Sequence, residues 1–310
     1  MSYQVNSAYL RKQENSLTKK HLSGCNYKRG MKIDMITIGD SYSDGGGGGK
    51  NPFYQDYIAT FHNKTVLNIE RLSPTKSILD TILALNNSGV LDEIQPKILI
   101  LQTGGRAVVK RFSRHVDYDY TLKKENIYKQ FSKMTLHDIS KYPSTNISFI
   151  NSGNYKFILN SIKYKKRVCL SNHVCKLKLN KDFFSVKDSD TLEFYQDNVT
   201  AIPLVSKENI QKVNHTFNQL AKILQEKNIK LYVMIAVDKF DLYSPYIKTN
   251  PFGANKTFEF LRELPKDYTL IDTKKILRKL IKKGKKDIYF ADDTHWNYKA
   301  SETIIKSTTF

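Results

Sequence analysis

Two short segments of this 310-residue chain carry residue types that could do nucleophilic and acid–base chemistry together. One is Ile38-Gly39-Asp40-Ser41-Tyr42-Ser43, at the end of the apolar run Met35-Ile36-Thr37-Ile38. The other is Ala291-Asp292-Asp293-Thr294-His295-Trp296-Asn297, near the C-terminus. A serine hydroxyl is a weak nucleophile until a base takes its proton. Imidazole titrates near neutrality and is suited to that task, and a carboxylate orients the ring and stabilises its cation. Ser41, His295 and an aspartate therefore form a candidate triad. The residue types alone leave the acid open between Asp293 and Asp292. Alone, Gly-Asp-Ser also describes an ordinary turn, and a lone histidine beside a tryptophan an ordinary packed side chain. Their joint occurrence at opposite ends of one pattern of elements carries the expectation.

Those elements must bring residues 41 and 295 together. Met35–Ile38, Val66–Ile69, Ile98–Leu101, Ile229–Ile235 and Tyr268–Asp272 read as short buried strands. Helical patterns at 53–61, 73–85, 209–227 and 273–283, and from about Asn297 onward, separate or follow them. Ser73-Pro74 is expected as N-cap and first-turn proline. Such alternation predicts an α/β fold with a parallel sheet covered on both faces, a three-layer α/β/α arrangement. A serine on the turn after a parallel strand then sits at the carboxyl edge, where open α/β sheets bind ligands. The alternation stops over about 113–203, which reads as a β-rich insertion, and residues 1–30 read as a lead-in helix or linker. The domain proper is expected to span 31–310.

Gly39-Asp40-Ser41 with a late Asp-x-His resembles the SGNH (GDSL-type) hydrolase superfamily. Asp293-Thr294-His295-Trp296-Asn297 is similar to the branch containing the alginate O-acetyltransferases, as is Leu231–Tyr243 with its Lys239-x-x-x-Tyr243 ending. The resemblance covers roughly residues 31–112 and 206–305. It implies an SGNH-type fold and an acyl-enzyme on Ser41, with His295 as base. The Thr-His-Trp context favours Asp293 as the acid, and ordinary superfamily spacing favours Asp292. It also implies an O-acyl, chiefly O-acetyl, esterase or transferase acting on a cell-surface polysaccharide outside the cytoplasm. Two departures stand out. In the alginate enzymes the Asp-His motif precedes Gly-Asp-Ser, whereas here it follows, as in the superfamily at large. The superfamily's oxyanion-hole Gly and Asn positions are held here by Arg71-Leu72-Ser73 and Gln102-Thr103-Gly104-Gly105-Arg106. The expected donors are therefore the Ser41 N–H, the N–H groups of Gly104 and Gly105, and the Arg106 side chain.

The remaining composition narrows the alternatives. Fifty Lys and Arg against thirty Asp and Glu leave a formal charge of +20, which suits polyanions such as acidic polysaccharide, anionic lipid or nucleic acid. No zinc finger or aromatic RNA-binding motif accompanies it, so nucleic acid is a weak candidate. A non-catalytic polysaccharide-binding protein of the same fold is the main alternative to the enzyme. Gly45–Gly49 followed by Lys50 resembles a phosphate loop, but Asp44 and Asn51 occupy positions where that loop needs Gly and Ser/Thr. The glycines are expected to let backbone lie close to the acyl group or sugar beside Ser41. Cys169 and Cys175 flank an expected hairpin tip and could face each other, and Cys25 stands apart. No Cys-x-x-Cys pair is present, and no metal or cofactor is expected. No apolar stretch reaches membrane-spanning length, and no export signal is visible. The resemblance implies a periplasmic or cell-surface location, the absence of a visible export signal counts against it, and the cytoplasm is the alternative.

Overall fold

The computed structural model describes residues 10–12, 17–135, 168–169 and 173–310. Six strands form one parallel sheet: β1 (Leu22–Ser23), β2 (Met35–Ile38), β3 (Val66–Ile69), β4 (Ile98–Gly104), β7 (Lys230–Ala236) and β8 (Thr269–Asp272). Their order is β1-β3-β2-β4-β7-β8, with every neighbouring pair parallel. β2, β3 and β4 are buried at every residue, as expected of strands covered on both faces.

β3 lies on one side of β2 and β4 on the other, so successive crossovers leave β2 in opposite directions. Right-handed connections then put the intervening helices on opposite faces. On one face α1 (Tyr54–Phe61) packs against α6 (Tyr298–Lys306), which packs against α5 (Thr273–Lys282). On the other, α2 (Ile78–Asn87) precedes α3 (Lys207–Gln225), which packs on β7. The chain is thus α/β, a six-stranded parallel sheet flanked by helices.

The helices follow from local chemistry. α3 buries Ile210, Val213, Phe217, Leu220 and Leu224 at helical spacing, and the Ser206 hydroxyl accepts from the Asn209 N–H at its start. Asp272 and Asn297 cap α5 and α6 in the same way. α2 starts later than the sequence suggested. Ser77 caps it by accepting from the Asp80 N–H, and Ser73-Pro74 lies in the preceding turn. The basic residues of 273–283 read from the sequence as a solvent face, and α5 departs from that at one of them. Lys274 is buried, with Nζ 2.7 Å from Asp241 and 3.0 Å from Glu259.

The segment expected to be β-rich is mixed. Its described part holds a helix at Lys124–Phe131 and one antiparallel pair, β5 (Val174–Lys178) with β6 (Thr191–Tyr195). Of the insertion's tyrosines Tyr118, Tyr120, Tyr128, Tyr155 and Tyr164, which from the sequence could pack a small core or stack on sugars, Tyr155 and Tyr164 lie outside the described residues. Cys169 and Cys175 are disulfide-bonded, and Cys25 is an exposed free thiol. Among the described residues, no helix is long and apolar enough to cross a membrane.

Residues 1–30 are more than a lead-in, because β1 within them forms the sheet edge against β3. Asp56 of α1 holds this strand in place. Its carboxylate accepts from the His21 N–H at 2.9 Å and from Lys20 Nζ at 3.0 Å, and lies 2.7 Å from His21 Nδ1. Burial would raise its pKa, but the bonds and charges of His21 and Lys20 more than offset this and lower it. We expect Asp56→Ala to cost about 2–4 kcal/mol at neutral pH. Because the folded-state pKa is depressed, that contribution is present above the unfolded carboxylate value and lost as pH falls through the folded one. Urea unfolding of both proteins at neutral and acid pH checks it: their stabilities should converge in acid.

Candidate active site

Ser41 follows β2, the strand at which the sheet order reverses direction, and so lies at the crevice such sheets offer ligands. The turn is tight. The N–H groups of Ser43 and Asp44 both donate to the Asp40 carbonyl, and the Gly46 N–H donates to the Ser41 carbonyl. Gly39 is required by packing, since a Cβ there would lie 2.1 Å from Ser43 Oγ and 2.5 Å from Gln102 Oε1. Asp40 is the anchor. Its N–H donates to Gln102 Oε1, and its Oδ2 accepts from the Gly104 N–H at 2.8 Å and Arg111 Nη1 at 2.5 Å. Burial opposes ionisation of Asp40, yet Arg111, Gly104 and Gln102 outweigh it and keep the carboxyl below its ordinary value.

Ser41 Oγ lies 2.8 Å from His295 Nε2, although the residues are 254 positions apart. His295 Nδ1 lies 2.6 Å from Asp293 Oδ1, which also accepts from the His295 N–H at 2.8 Å. Burial acts to raise the Asp293 pKa, but His295, with a further contribution from Arg11, lowers it overall. An ionised Asp293 fixes the proton on Nδ1 and leaves Nε2 to accept from the serine. Asp292 is turned elsewhere, with its two oxygens 3.1 and 3.2 Å from Nη1 and Nη2 of Arg11. Of the two aspartates, Asp293 is the one that meets the imidazole.

The loop carrying Asp293 and His295 rests on a buried cation. Lys239, at the start of α4 (Lys239–Tyr243), donates from Nζ to the carbonyls of Phe290 at 2.7 Å, Ala291 at 2.9 Å and Asp293 at 3.2 Å. Burial pulls its pKa down to about 8, against the opposing charges of Glu193, Asp293 and Asp292. Tyr42 supports the loop from the serine side: its hydroxyl donates to the Thr294 carbonyl at 3.0 Å. Its ring lies 4.7 Å from that of His295 and 4.6 Å from that of Trp296.

The glycine run packs over this loop. A Cβ on Gly46 would lie 2.4 Å from His295 Nε2 and 2.6 Å from the Ser41 carbonyl oxygen, so only glycine fits. At Gly46 the close approach is to the histidine itself.

The expected oxyanion donors fare differently. The Gly104 N–H is committed to Asp40. Gly105 backs onto Asp238, and Arg106 points Nη1 at Asp238 Oδ1, 3.7 Å away, with its guanidinium 5.5 Å above the Tyr195 ring. The Ser41 N–H has no acceptor among the described residues. Asp238 is buried, and neither of its carboxyl oxygens has a hydrogen-bond partner among the described residues. Burial pushes its pKa up to about 7, with Arg106 opposing the shift and Asp241 and Asp40 adding to it.

A groove of about 580 Å³ opens beside the neighbouring strand β3. Arg71, Lys76, Lys129 and Lys133 line it together with Ser73 and Asn126, and no aromatic side chain does. Gln130 ties its walls together, accepting from the Ser73 N–H at 2.7 Å and donating to the Ser73 carbonyl at 3.2 Å. Arg71 lies 3.9 Å from Asp44 in the serine loop. Ile38 and Ile69 are register partners, so Ser41 and Arg71 leave adjacent strands at one sheet edge, strands spaced about 4.8 Å apart.

Arg11, Arg111, Lys239, Asp238 and the exact contact made by Gly46 were missed by residue-type reasoning. Lys239 had a sequence signal, a lone lysine next to a run of buried strand residues, whereas Arg11 had none. No group of three or more His, Cys, Asp or Glu among the described residues is placed to hold a metal ion. No protein-family model, no curated protein and no solved structure matches the chain.

Asp238 predicts a pH signature. Its folded pKa is raised, so over roughly pH 4 to 7 the folded state holds a proton that the unfolded chain has released, and stability falls as pH rises through that window. Asp238→Asn removes this component. Wild type should lose on the order of 2–4 kcal/mol relative to the variant between pH 4 and 8. Parallel urea titrations across that range would read the difference, and parallel pH profiles for the two proteins would refute it.

Proposed function

We propose that this protein is an SGNH-type serine enzyme that transfers or hydrolyses O-acyl groups, chiefly acetyl, on carbohydrate. The observation that carries the reading is the continuous relay from Ser41 Oγ through His295 to Asp293, with contacts of 2.8 and 2.6 Å. Ser41 Oγ attacks the ester carbonyl while its proton passes to His295 Nε2. Asp293 stabilises the resulting imidazolium. The Ser41 N–H is available to the tetrahedral oxyanion. Collapse breaks the bond to the alcohol oxygen, which takes the proton back from His295, and leaves an acyl-serine. Water then yields an esterase, and a sugar hydroxyl yields an acyltransferase.

The groove supports a carbohydrate substrate. Among the described residues it is lined by four cations, one acid, the Ser73 hydroxyl and the amides of Asn126 and Gln130, beside the apolar Pro74, Leu122 and Met134. It lacks the aromatic platforms on which single-stranded nucleic acid stacks. Excess positive charge favours a glycan that itself carries carboxylates. The Cys169–Cys175 disulfide supports an oxidising, periplasmic or cell-surface setting.

A fluorophosphonate probe should label wild type and fail on Ser41→Ala and His295→Ala. Equal labelling of all three would exclude Ser41 as the nucleophile, and no labelling of wild type would favour the non-catalytic glycan-binding alternative. For the groove, Lys129→Glu with Lys133→Glu should raise KM for an acetylated acidic polysaccharide about tenfold, with a smaller rise for a neutral one. Equal effects on both polymers would remove charge recognition from the reading.

A further inference from the structure

Arg11 stands outside every motif that pointed to the site, yet it touches both catalytic loops. Its Nε donates to the Gly47 carbonyl at 2.8 Å, in the glycine run that covers His295. Nη1 and Nη2 form a two-toothed pair with Asp292, at 3.1 and 3.2 Å. Nη2 also lies 3.8 Å from Asp293 Oδ2, the oxygen that His295 does not use. The guanidinium sits 4.2 Å above the Phe290 ring. The backbone docks as well: the Arg11 carbonyl accepts from the Lys50 N–H at 3.0 Å. A Cβ on Gly49 would lie 2.9 Å from that carbonyl, and Leu10 beside it is buried.

We propose that Arg11 is a positioning residue which clamps the glycine loop to the Asp292–His295 loop, so that the N-terminal segment completes the active site. Resting on the acyl-transfer reading above, this assigns a role in catalysis to a part of the chain far from either motif. An isolated surface ion pair would contribute little. This one differs, because the Arg11 side chain is only 10% exposed and, among the described residues, its donors reach three acceptors on two loops. The planar fork matters: one nitrogen holds a backbone carbonyl while the opposite edge holds a carboxylate, a span that an ammonium cannot make. Asp293 is thereby held from both sides, by His295 at Oδ1 and by the guanidinium toward Oδ2. Lys239 holds the same loop from beneath. The guanidinium toward Oδ2 and the Lys239 bond to the Asp293 carbonyl therefore add to the His295 N–H bond at Oδ1 in opposing rotation of Asp293 away from the imidazole.

The test uses the full chain with Arg11→Ala and Arg11→Lys, assayed on p-nitrophenyl acetate and examined by proton NMR. The ring proton shared by His295 Nδ1 and Asp293 should give a far-downfield signal in wild type. The clamp predicts that in Arg11→Ala this signal broadens or vanishes. It also predicts that kcat falls roughly 10- to 100-fold with KM within about twofold, as for an interaction that acts in the transition state. Added ethylguanidinium should restore part of kcat, and Arg11→Lys should recover less than a tenth of the lost rate. Wild-type kcat and an unchanged downfield signal in both variants would overturn the proposal. So would a loss seen in KM alone. If wild type itself turns over no ester and takes no fluorophosphonate, the functional reading fails. The NMR signal still decides whether Arg11 holds Asp293 against His295.

Discussion

One ammonium group, Nζ of Lys239, carries the geometry of the site. It satisfies the carbonyls of Phe290, Ala291 and Asp293, three acceptors that a loop folded this tightly could not satisfy within itself. Burying a cation is costly, and the fall of its pKa to about 8 registers that cost. What the burial secures is a loop whose backbone cannot drift, and so an imidazole held at hydrogen-bonding distance from a serine 254 residues away. A methylene chain of the same length would leave three orphaned carbonyls beneath the histidine, a penalty larger than the loss of a single contact.

The serine side is built on the mirror-image principle, a buried anion. Asp40 gathers donors from Gly104 and Arg111 and locks the turn after β2 to the end of β4. Ser41 is thereby presented on a rigid edge. Between the two anchored loops lies a strip of glycines that accommodates the histidine because it has no side chains to collide with it. The glycine run is thus a packing solution, and its conformational freedom is used at positions such as Gly47, where φ is +87°.

A third charged centre, Asp238 with Arg106, lies one strand further along, at the end of β7. It draws Arg106 inward, and the insertion hairpin caps it through Tyr195 of β6. Phe194 of the same strand packs on Phe240 of α4, immediately after Lys239. The insertion is therefore coupled through aromatic packing to the helix that supports the catalytic loop. Among the described residues, the groove on the opposite flank of Ser41 is bounded by Arg71, Lys76, Lys129 and Lys133, with Glu70 also on its wall.

Read from the sequence, Met35–Ile38 and Val66–Ile69 are strands at the observed boundaries, and α3 and α5 are helices to within two residues. These depend on short-range regularities: apolar runs, helical spacing, and capping side chains next to the backbone they serve. The same regularities put Ser41 at a strand end and His295 before the last helix. The tertiary structure decided everything that depends on which distant group arrives first. Asp292 and Asp293 are chemically identical neighbours, and their fates diverge because the imidazole of His295 meets Asp293 alone, while Asp292 takes the two-toothed pair with Arg11. Gly104 has a free-looking amide in sequence, and Asp40, 64 residues away, consumes it. Lys274 reads as a solvent-facing charge, and the packing of whole layers buries it. Spacing encodes the local backbone. Partnership among charges depends on three-dimensional proximity, which no local pattern records.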